Sequence, residues 1–223
     1  MIDLRHIDTW IFDLDNTLYP LASGFVALIE QKMTDFTVRV TGLPRDQAFA
    51  LQLRYLQDHG TTLAGLTANY GIRPEDFLDE VHDVSTDVLE PDPRLRAALQ
   101  RLPGRRLVFT NGHGAHATRV LAKLEIADLF DEVFHLETGG LIPKPRPEAF
   151  DRLVALHHVT TKTAAFFEDT ERNLKPAADL GMTTVLIGPH ALTSTAAFVH
   201  HRAEALAPFL EAAQIADKTQ DPR

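Results

Sequence analysis

Short apolar runs alternate with amphipathic stretches along most of this chain. Five runs, at positions 9–12, 106–109, 133–136, 164–167 and 183–187, are partly β-branched or aromatic and end against polar residues or glycine. That is the pattern of buried strands. Helical spacings fill the gaps between the last four. Leu95, Ala98, Leu99 and Leu102 repeat at three and four, as do Ala117, Val120, Leu121 and Leu124, and then Phe150, Leu153 and Val154. Asn173-Leu174-Lys175-Pro176 opens another short helix that stops near Gly181. Strands alternating with helices predict an α/β fold, a three-layer Rossmann-like core with a parallel sheet covered on both faces.

Positions 20–90 break that rhythm and contain no strand pattern. Phe25, Leu28, Ile29, Met33, Phe36 and Val40 trace one helical face, and Phe49, Leu53 and Leu56 trace a second. A third helix is expected over 62–68. A fourth starts at Pro74, with Phe77, Leu78 and Val81 inward; Pro followed by Glu75 and Asp76 suits a helix start. Asn69-Tyr70-Gly71 reads as a helix end. This block predicts a small all-helical domain at 20–90, inserted into a core domain made of 1–19 and 91–223. Pro91-Asp92-Pro93 is a stiff boundary between them. The Ala/Leu-rich tail, 191–213, with Phe198, Leu206, Phe209 and Leu210, is expected to form one or two helices. Positions 216–223 are polar and expected to fray.

Composition narrows the classes. The chain has 223 residues, 44% apolar and 24% charged, which suits a soluble globular protein with a sizeable core. It has no cysteine, so disulfide scaffolds, thiolate zinc sites, iron–sulfur clusters and cysteine nucleophiles are excluded. Lys and Arg number 22 against 31 Asp and Glu, a net charge of −9. Such a surface does not attract a nucleic-acid polymer, yet it permits a local basic pocket for a small anion. No apolar run approaches the ~20 residues of a membrane helix, and the N-terminus lacks a signal-peptide layout. A cytoplasmic protein, monomer or homodimer, with no membrane partner is expected.

The strand ends carry the chemistry. Trp10-Ile11-Phe12-Asp13-Leu14-Asp15-Asn16-Thr17 runs an apolar strand straight into two carboxylates at i and i+2, on the same side of an extended chain. Ligands of parallel sheets bind beyond the carboxyl ends of the strands, where Asp13 and Asp15 fall. By itself the segment also reads as a turn capping a helix. The second strand ends in Thr110-Asn111-Gly112, which could cradle an anion at a helix start or simply cap it. After the third strand, Pro143-Lys144-Pro145 holds a lysine between prolines. After the fourth, Phe167-Glu168-Asp169-Thr170 again delivers carboxylates. Carboxylates, a lysine and hydroxyl or amide donors make a constellation for phosphate and a hard cation, and Mg²⁺ prefers such oxygen ligands.

In this order the segments resemble the four motifs of the haloacid dehalogenase-like superfamily, phosphatase branch, with a helical cap inserted after the first motif. His59-Gly60-Thr61-Thr62-Leu63-Ala64-Gly65-Leu66, Pro91-Asp92-Pro93-Arg94-Leu95-Arg96 and the Thr110-Asn111-Gly112 form of the second motif resemble the superfamily's pyrimidine 5′-nucleotidases. The resemblance implies a Mg²⁺-dependent phosphomonoesterase acting on a small phosphorylated metabolite such as a nucleoside monophosphate. Asp13 would be the nucleophile that becomes an aspartyl-phosphate. Asp15 would protonate the leaving oxygen, activate the water and give its backbone carbonyl to the metal. Asp169 would ligate the metal, with Glu168 beside it in place of the more usual Asp. Lys144 would offset charge. Thr110, the Asn111 backbone and Gly112 would hold the phosphoryl oxygens, Thr17 would support the first loop and Asn173 would orient the Glu168–Asp169 loop. The cation answers a charge problem: two unit charges at 4 Å repel by roughly 4 kcal/mol at an effective dielectric near 20, about three decades of rate.

Thr61, Thr62 and the loop at 19–23 are candidate specificity residues. The paired histidines, His113 with His116, His157 with His158 and His200 with His201, show no convincing ligand spacing and are expected on helix surfaces, with His113 near enough to the second motif to meet substrate. A phosphosugar phosphatase or phosphomutase, a haloacid dehalogenase and a non-catalytic ligand sensor are the competing functions.

Overall fold

In the computed structural model, residues 2–216 are described; the expected frayed end falls almost wholly on 217–223, outside them. The chain separates into two compact units, 1–23 with 89–223, and 24–88.

The larger unit is built on a six-stranded sheet in which every neighbouring pair is parallel, in the order β3-β2-β1-β4-β5-β6. The strands are β1 (Thr9–Phe12), β2 (Arg105–Phe109), β3 (Glu132–Phe134), β4 (Ala164–Glu168), β5 (Thr183–Ile187) and β6 (His201–Ala203). β1 and β4 are buried along their whole length, as strands covered on both faces must be. Phe12 stacks on Phe167 at 4.7 Å, and Phe109 meets Phe150 edge-on at 5.0 Å. From β1 the chain goes outward one way through β2 and β3, then returns to the other side of β1 for β4. That reversal opens a crevice at the carboxyl ends of β1 and β4.

β6 departs from expectation. The tail is expected to form one or two helices; Leu206–Ala212 is an α-helix there, and His201–Ala203 adds an unexpected strand to β5. His201-Arg202-Ala203 is half-buried with no apolar alternation, so backbone pairing alone makes it a strand, and side-chain pattern cannot announce it.

The smaller unit holds α1 (Phe25–Thr41), α2 (Arg45–Asp58), α3 (Thr62–Tyr70) and α4 (Pro74–Val81). α1 packs on the other three, and Phe36 meets Phe77 edge-on at 5.1 Å. A Cβ on Gly65 of α3 would stand 2.1 Å from the Tyr55 ring of α2, so only glycine permits this approach. The same contact explains a difference on α2. Its inward residues are Ala48, Leu51, Gln52 and Tyr55, while Phe49, Leu53 and Leu56 are exposed. Two apolar stripes compete on this helix, and seating Tyr55 against Gly65 turns the other outward. Among the described residues, no helix is long and apolar enough to cross a membrane.

Candidate active site

Parallel register sets the first contacts. Phe12 is level with Phe167 on β4 and Val108 on β2, and the Asp13 N–H donates to the Phe167 carbonyl at 2.8 Å. Asp13 therefore continues β1 level with Glu168 and Phe109. Lys144 enters between them. Its Nζ donates to Asp13 Oδ1 at 2.7 Å, to Glu168 Oε2 at 2.7 Å and to the Phe109 carbonyl at 2.8 Å. An ammonium has three donors, and all three are used. The Phe109 and Phe166 rings lie 5.0 and 5.3 Å from Nζ, and Lys144 is 1% exposed.

Asn111 is what brings Lys144 there. Its Oδ1 accepts from the Lys144 N–H at 2.8 Å, and its Nδ2 donates to the Lys144 carbonyl at 3.1 Å. The Asn111 side chain is thus spent on the lysine loop, while the phosphate-holding expectation concerns its backbone. Thr110 Oγ1 accepts from the Gly112 N–H at 2.9 Å, which leaves the hydroxyl hydrogen to donate. Thr17 donates to Asp13 Oδ2 at 3.1 Å. Asn16 adopts φ 63°, a conformation that asparagine tolerates, and its Nδ2 donates to Asp169 Oδ2 at 3.3 Å. Glu168 Oε1 accepts from the Thr170 N–H at 3.1 Å.

Asp13, Glu168 and Asp169 each offer an oxygen within 4.8 Å of the others. Asp15 is expected to give a metal its backbone carbonyl, and its carboxylate lies outside that group. It turns instead to Tyr19, whose hydroxyl donates to Oδ1 at 2.5 Å, and to His116, whose Nε2 lies 2.9 Å from the same oxygen. His116 is fully buried, so the helix-surface expectation fails for it. It stands one turn before Val120 on the inward face of α6 (Gly114–Lys123), and that placement was the available signal. His113 pairs with Glu137 at 3.1 Å. Thr61 caps α3, accepting from the Ala64 N–H at 3.0 Å, and Thr62 is buried. Asn173 is buried in α8 (Glu171–Asp179), its N–H on the Thr170 carbonyl at 2.9 Å.

Residues 7–181 match the family of haloacid dehalogenase-like hydrolases. The chain belongs to that family. Among curated relatives, phosphate metabolism protein 8 of Saccharomyces cerevisiae is 30% identical over 194 residues, 79% of this chain and 60% of that protein. The chain thus spans less than two thirds of the yeast relative. Glyceraldehyde 3-phosphate phosphatase of Methanocaldococcus jannaschii is 26% identical over 198 residues, 79% of this chain and 83% of that protein. Among solved structures, a haloacid dehalogenase-like phosphatase from Thermococcus onnurineus superposes with TM-score 0.60 at 18% identity, covering 92% of this chain and 97% of that one. A 2-haloacid dehalogenase from Pseudomonas syringae superposes with TM-score 0.56 at 20% identity, covering 92% and 98%. At these identities the two structures share the fold.

In this haloacid dehalogenase-like hydrolase, charge decides what the site can hold. Burial pushes the Asp13 carboxyl up to about 7, the Glu168 charge adds to the rise and Lys144 opposes it. Burial likewise takes Glu168 up to about 7 against the pull of Lys144. Asp169 is raised too, by burial first and then by Asp13. Lys144 is raised as well: burial works against its charge, but Asp13 and Glu168 prevail. Three carboxylates, Asp13, Glu168 and Asp169, around one ammonium leave a surplus of negative charge once ionised, and the donors are hard oxygens. The set fits a hard divalent ion.

One expectation follows for the metal-free protein. Asp13 and Glu168 hold protons in the folded state to about pH 7, whereas unfolded they release them near pH 4. The folded state binds more protons in that window, so stability falls as pH rises from about 4 to about 7 and then levels off. Thermal melts in EDTA across that range should show the Tm dropping by several degrees, and Mg²⁺ should reverse the drop at pH 8. A Tm that climbs with pH would contradict the charge assignment.

Proposed function

We propose that this hydrolase is a Mg²⁺-dependent phosphomonoesterase that works through an aspartyl-phosphate on Asp13. The observation that carries the reading is the convergence of Asp13, Lys144, Glu168 and Asp169 at the crevice between β1 and β4. Asp13, held by Thr17 and Lys144, attacks phosphorus. The Thr110 hydroxyl and the backbone of the 110–112 loop take up the phosphoryl oxygens. Asp15 gives its proton to the departing ester oxygen as the P–O bond breaks, then takes a proton from the water that hydrolyses the aspartyl-phosphate. Asp13, Asp169 and Glu168 would hold the ion, which when bound neutralises charge between the attacking carboxylate and the phosphate. Lys144 keeps Asp13 oriented and partly neutralised throughout.

The relative named as a phosphatase supports the reaction class. A dehalogenase shares the fold, but release of halide needs neither an acid at position 15 nor a metal cluster. For substrate, we propose a pyrimidine nucleoside 5′-monophosphate, on the strength of the resemblance carried by residues 59–66 and 91–96. A phosphosugar is the second reading, favoured by the glyceraldehyde 3-phosphate phosphatase relative. A cytoplasmic location and a monomeric or homodimeric state belong to the same proposal. A panel of phosphate monoesters, read as free phosphate with Mg²⁺ or EDTA, tests it. UMP or CMP should exceed sugar phosphates by roughly tenfold in kcat/KM. A clear preference for a sugar phosphate replaces the nucleotidase reading. Phosphate that passes to a second sugar hydroxyl and never appears free would mark a mutase.

A further inference from the structure

Asp15 is where the structure goes beyond the motif. A carboxylate that delivers a proton has two oxygens, and which one meets the substrate depends on what grips the other. Here two donors from different elements grip the same oxygen. The Tyr19 hydroxyl reaches Oδ1 at 2.5 Å from the loop after β1, and His116 Nε2 reaches it at 2.9 Å from the first turns of α6. Because the carboxylate oxygen accepts, His116 carries its hydrogen on Nε2. Both partners are held in place, His116 fully buried and Tyr19 3% exposed.

The second oxygen faces the other way. Oδ2 lies 3.7 Å from where a Cβ on Gly112 would stand, and that position is also 3.2 Å from Thr110 Oγ1. Oδ2 thus looks onto the Thr110–Gly112 loop, where glycine places no side chain between them. A carboxylate swinging about χ2 would exchange its oxygens. Two hydrogen bonds to Oδ1, one of them short, oppose that swing.

We propose that His116 and Tyr19 are positioning residues that clamp Oδ1 of Asp15, so that Oδ2 is the oxygen that gives a proton to the leaving group. The inference rests on the phosphatase reading. Within it the step balances: the Asp13 oxygen forms its bond to phosphorus, the P–O ester bond breaks with its electron pair on the leaving oxygen, and the proton on Oδ2 goes to that oxygen. Proper aim matters most for a leaving group that is a poor anion. An alkyl phosphate must be protonated as it departs, whereas p-nitrophenolate leaves with little help.

The test compares wild type, Tyr19→Phe, His116→Leu and His116→Gln on p-nitrophenyl phosphate and on UMP, with glycerol 3-phosphate as the alkyl ester should UMP be refused. Tyr19→Phe keeps the ring and removes only the hydroxyl, so it remains informative if a His116 variant folds poorly by circular dichroism. Tyr19→Phe and His116→Leu should lower kcat on the alkyl ester by about 30-fold or more, yet less than about fivefold on p-nitrophenyl phosphate, with KM nearly unchanged. His116→Gln, which returns a side-chain N–H, should recover part of the loss. Equal losses on both esters, or a change confined to KM, overturns the positioning role. A wild-type protein that frees phosphate from neither ester defeats the phosphatase reading itself, and the inference with it.

Discussion

Asp13→Asn is expected to cut phosphate release by about 10⁴-fold or more while the protein still folds and grows more stable without metal. The two effects have one cause. An amide is nearly isosteric with the carboxylate, so Thr17 and Lys144 keep a partner in the same place, but it cannot form the acyl phosphate. The carboxylate also carries a cost. It is 6% exposed and level with Glu168 on the neighbouring strand, and burial pushes it up to about 7. Above that pH the metal-free wild type holds an ionised group in a place that disfavours it. The amide removes this cost, so at pH 8 in EDTA the variant should gain on the order of 1–3 kcal/mol. At pH 4 to 5 wild-type Asp13 is protonated in the folded state, and the gain should shrink towards zero. Malachite-green assays with Mg²⁺ and paired melts at the two pH values check both halves. Turnover near wild type would show that the nucleophile lies elsewhere.

Much of this site could be read from the chain because strand ends in a parallel sheet gather at one edge. Apolar runs that stop at Asp13, Thr110 and Glu168 mark those ends, and the prolines around Lys144 mark a fixed cation. What escaped depended on contacts between elements that sequence spacing does not encode. The expectation for Asn111 concerns its backbone; its side chain pairs with the Lys144 backbone 33 positions away, a contact that spacing does not announce. His116 looked like one of several surface histidines, although it shares an inward face with Val120. In the sequence Tyr19 offers itself only as a specificity candidate, and its hydroxyl holds Asp15. The exposed stripe of Phe49, Leu53 and Leu56 on α2 reads in the sequence as a packed face because two apolar faces overlap there, and only the Gly65–Tyr55 approach decides between them. Hydrophobic period identifies a helix well; it chooses between adjacent faces poorly, because one residue's rotation is only about 100°.

Lys144→Met should be the most destabilising single change at this site, and the reason is what it leaves behind. The thioether nearly fills the volume and still packs on the Phe109 and Phe166 rings. But three acceptors lose their donor at once: Asp13 Oδ1, Glu168 Oε2 and the Phe109 carbonyl. Breaking a buried pair by removing one partner typically costs about 3–5 kcal/mol, enough to unfold a marginal domain. The pH dependence has a definite sign. Without the ammonium, the pull that opposes the rise of Asp13 and Glu168 is gone, so both carboxyls take up protons at higher pH in the folded state. The deficit should be greatest near pH 8 and should narrow towards pH 5, where both are neutral in the fold. Arginine is no remedy, since a planar fork cannot meet three acceptors converging on one atom. Adding Glu168→Gln to Lys144→Met removes one stranded charge, so the double variant should melt above the single one and deviate from additivity by 0.5 kcal/mol or more, as is usual for residues in direct contact. Its phosphate release should stay as low as that of Lys144→Met, because Asp13 still lacks the cation that holds and neutralises it. Regained stability with regained activity would mean that Lys144 serves the fold alone; regained stability without it assigns the lysine to both.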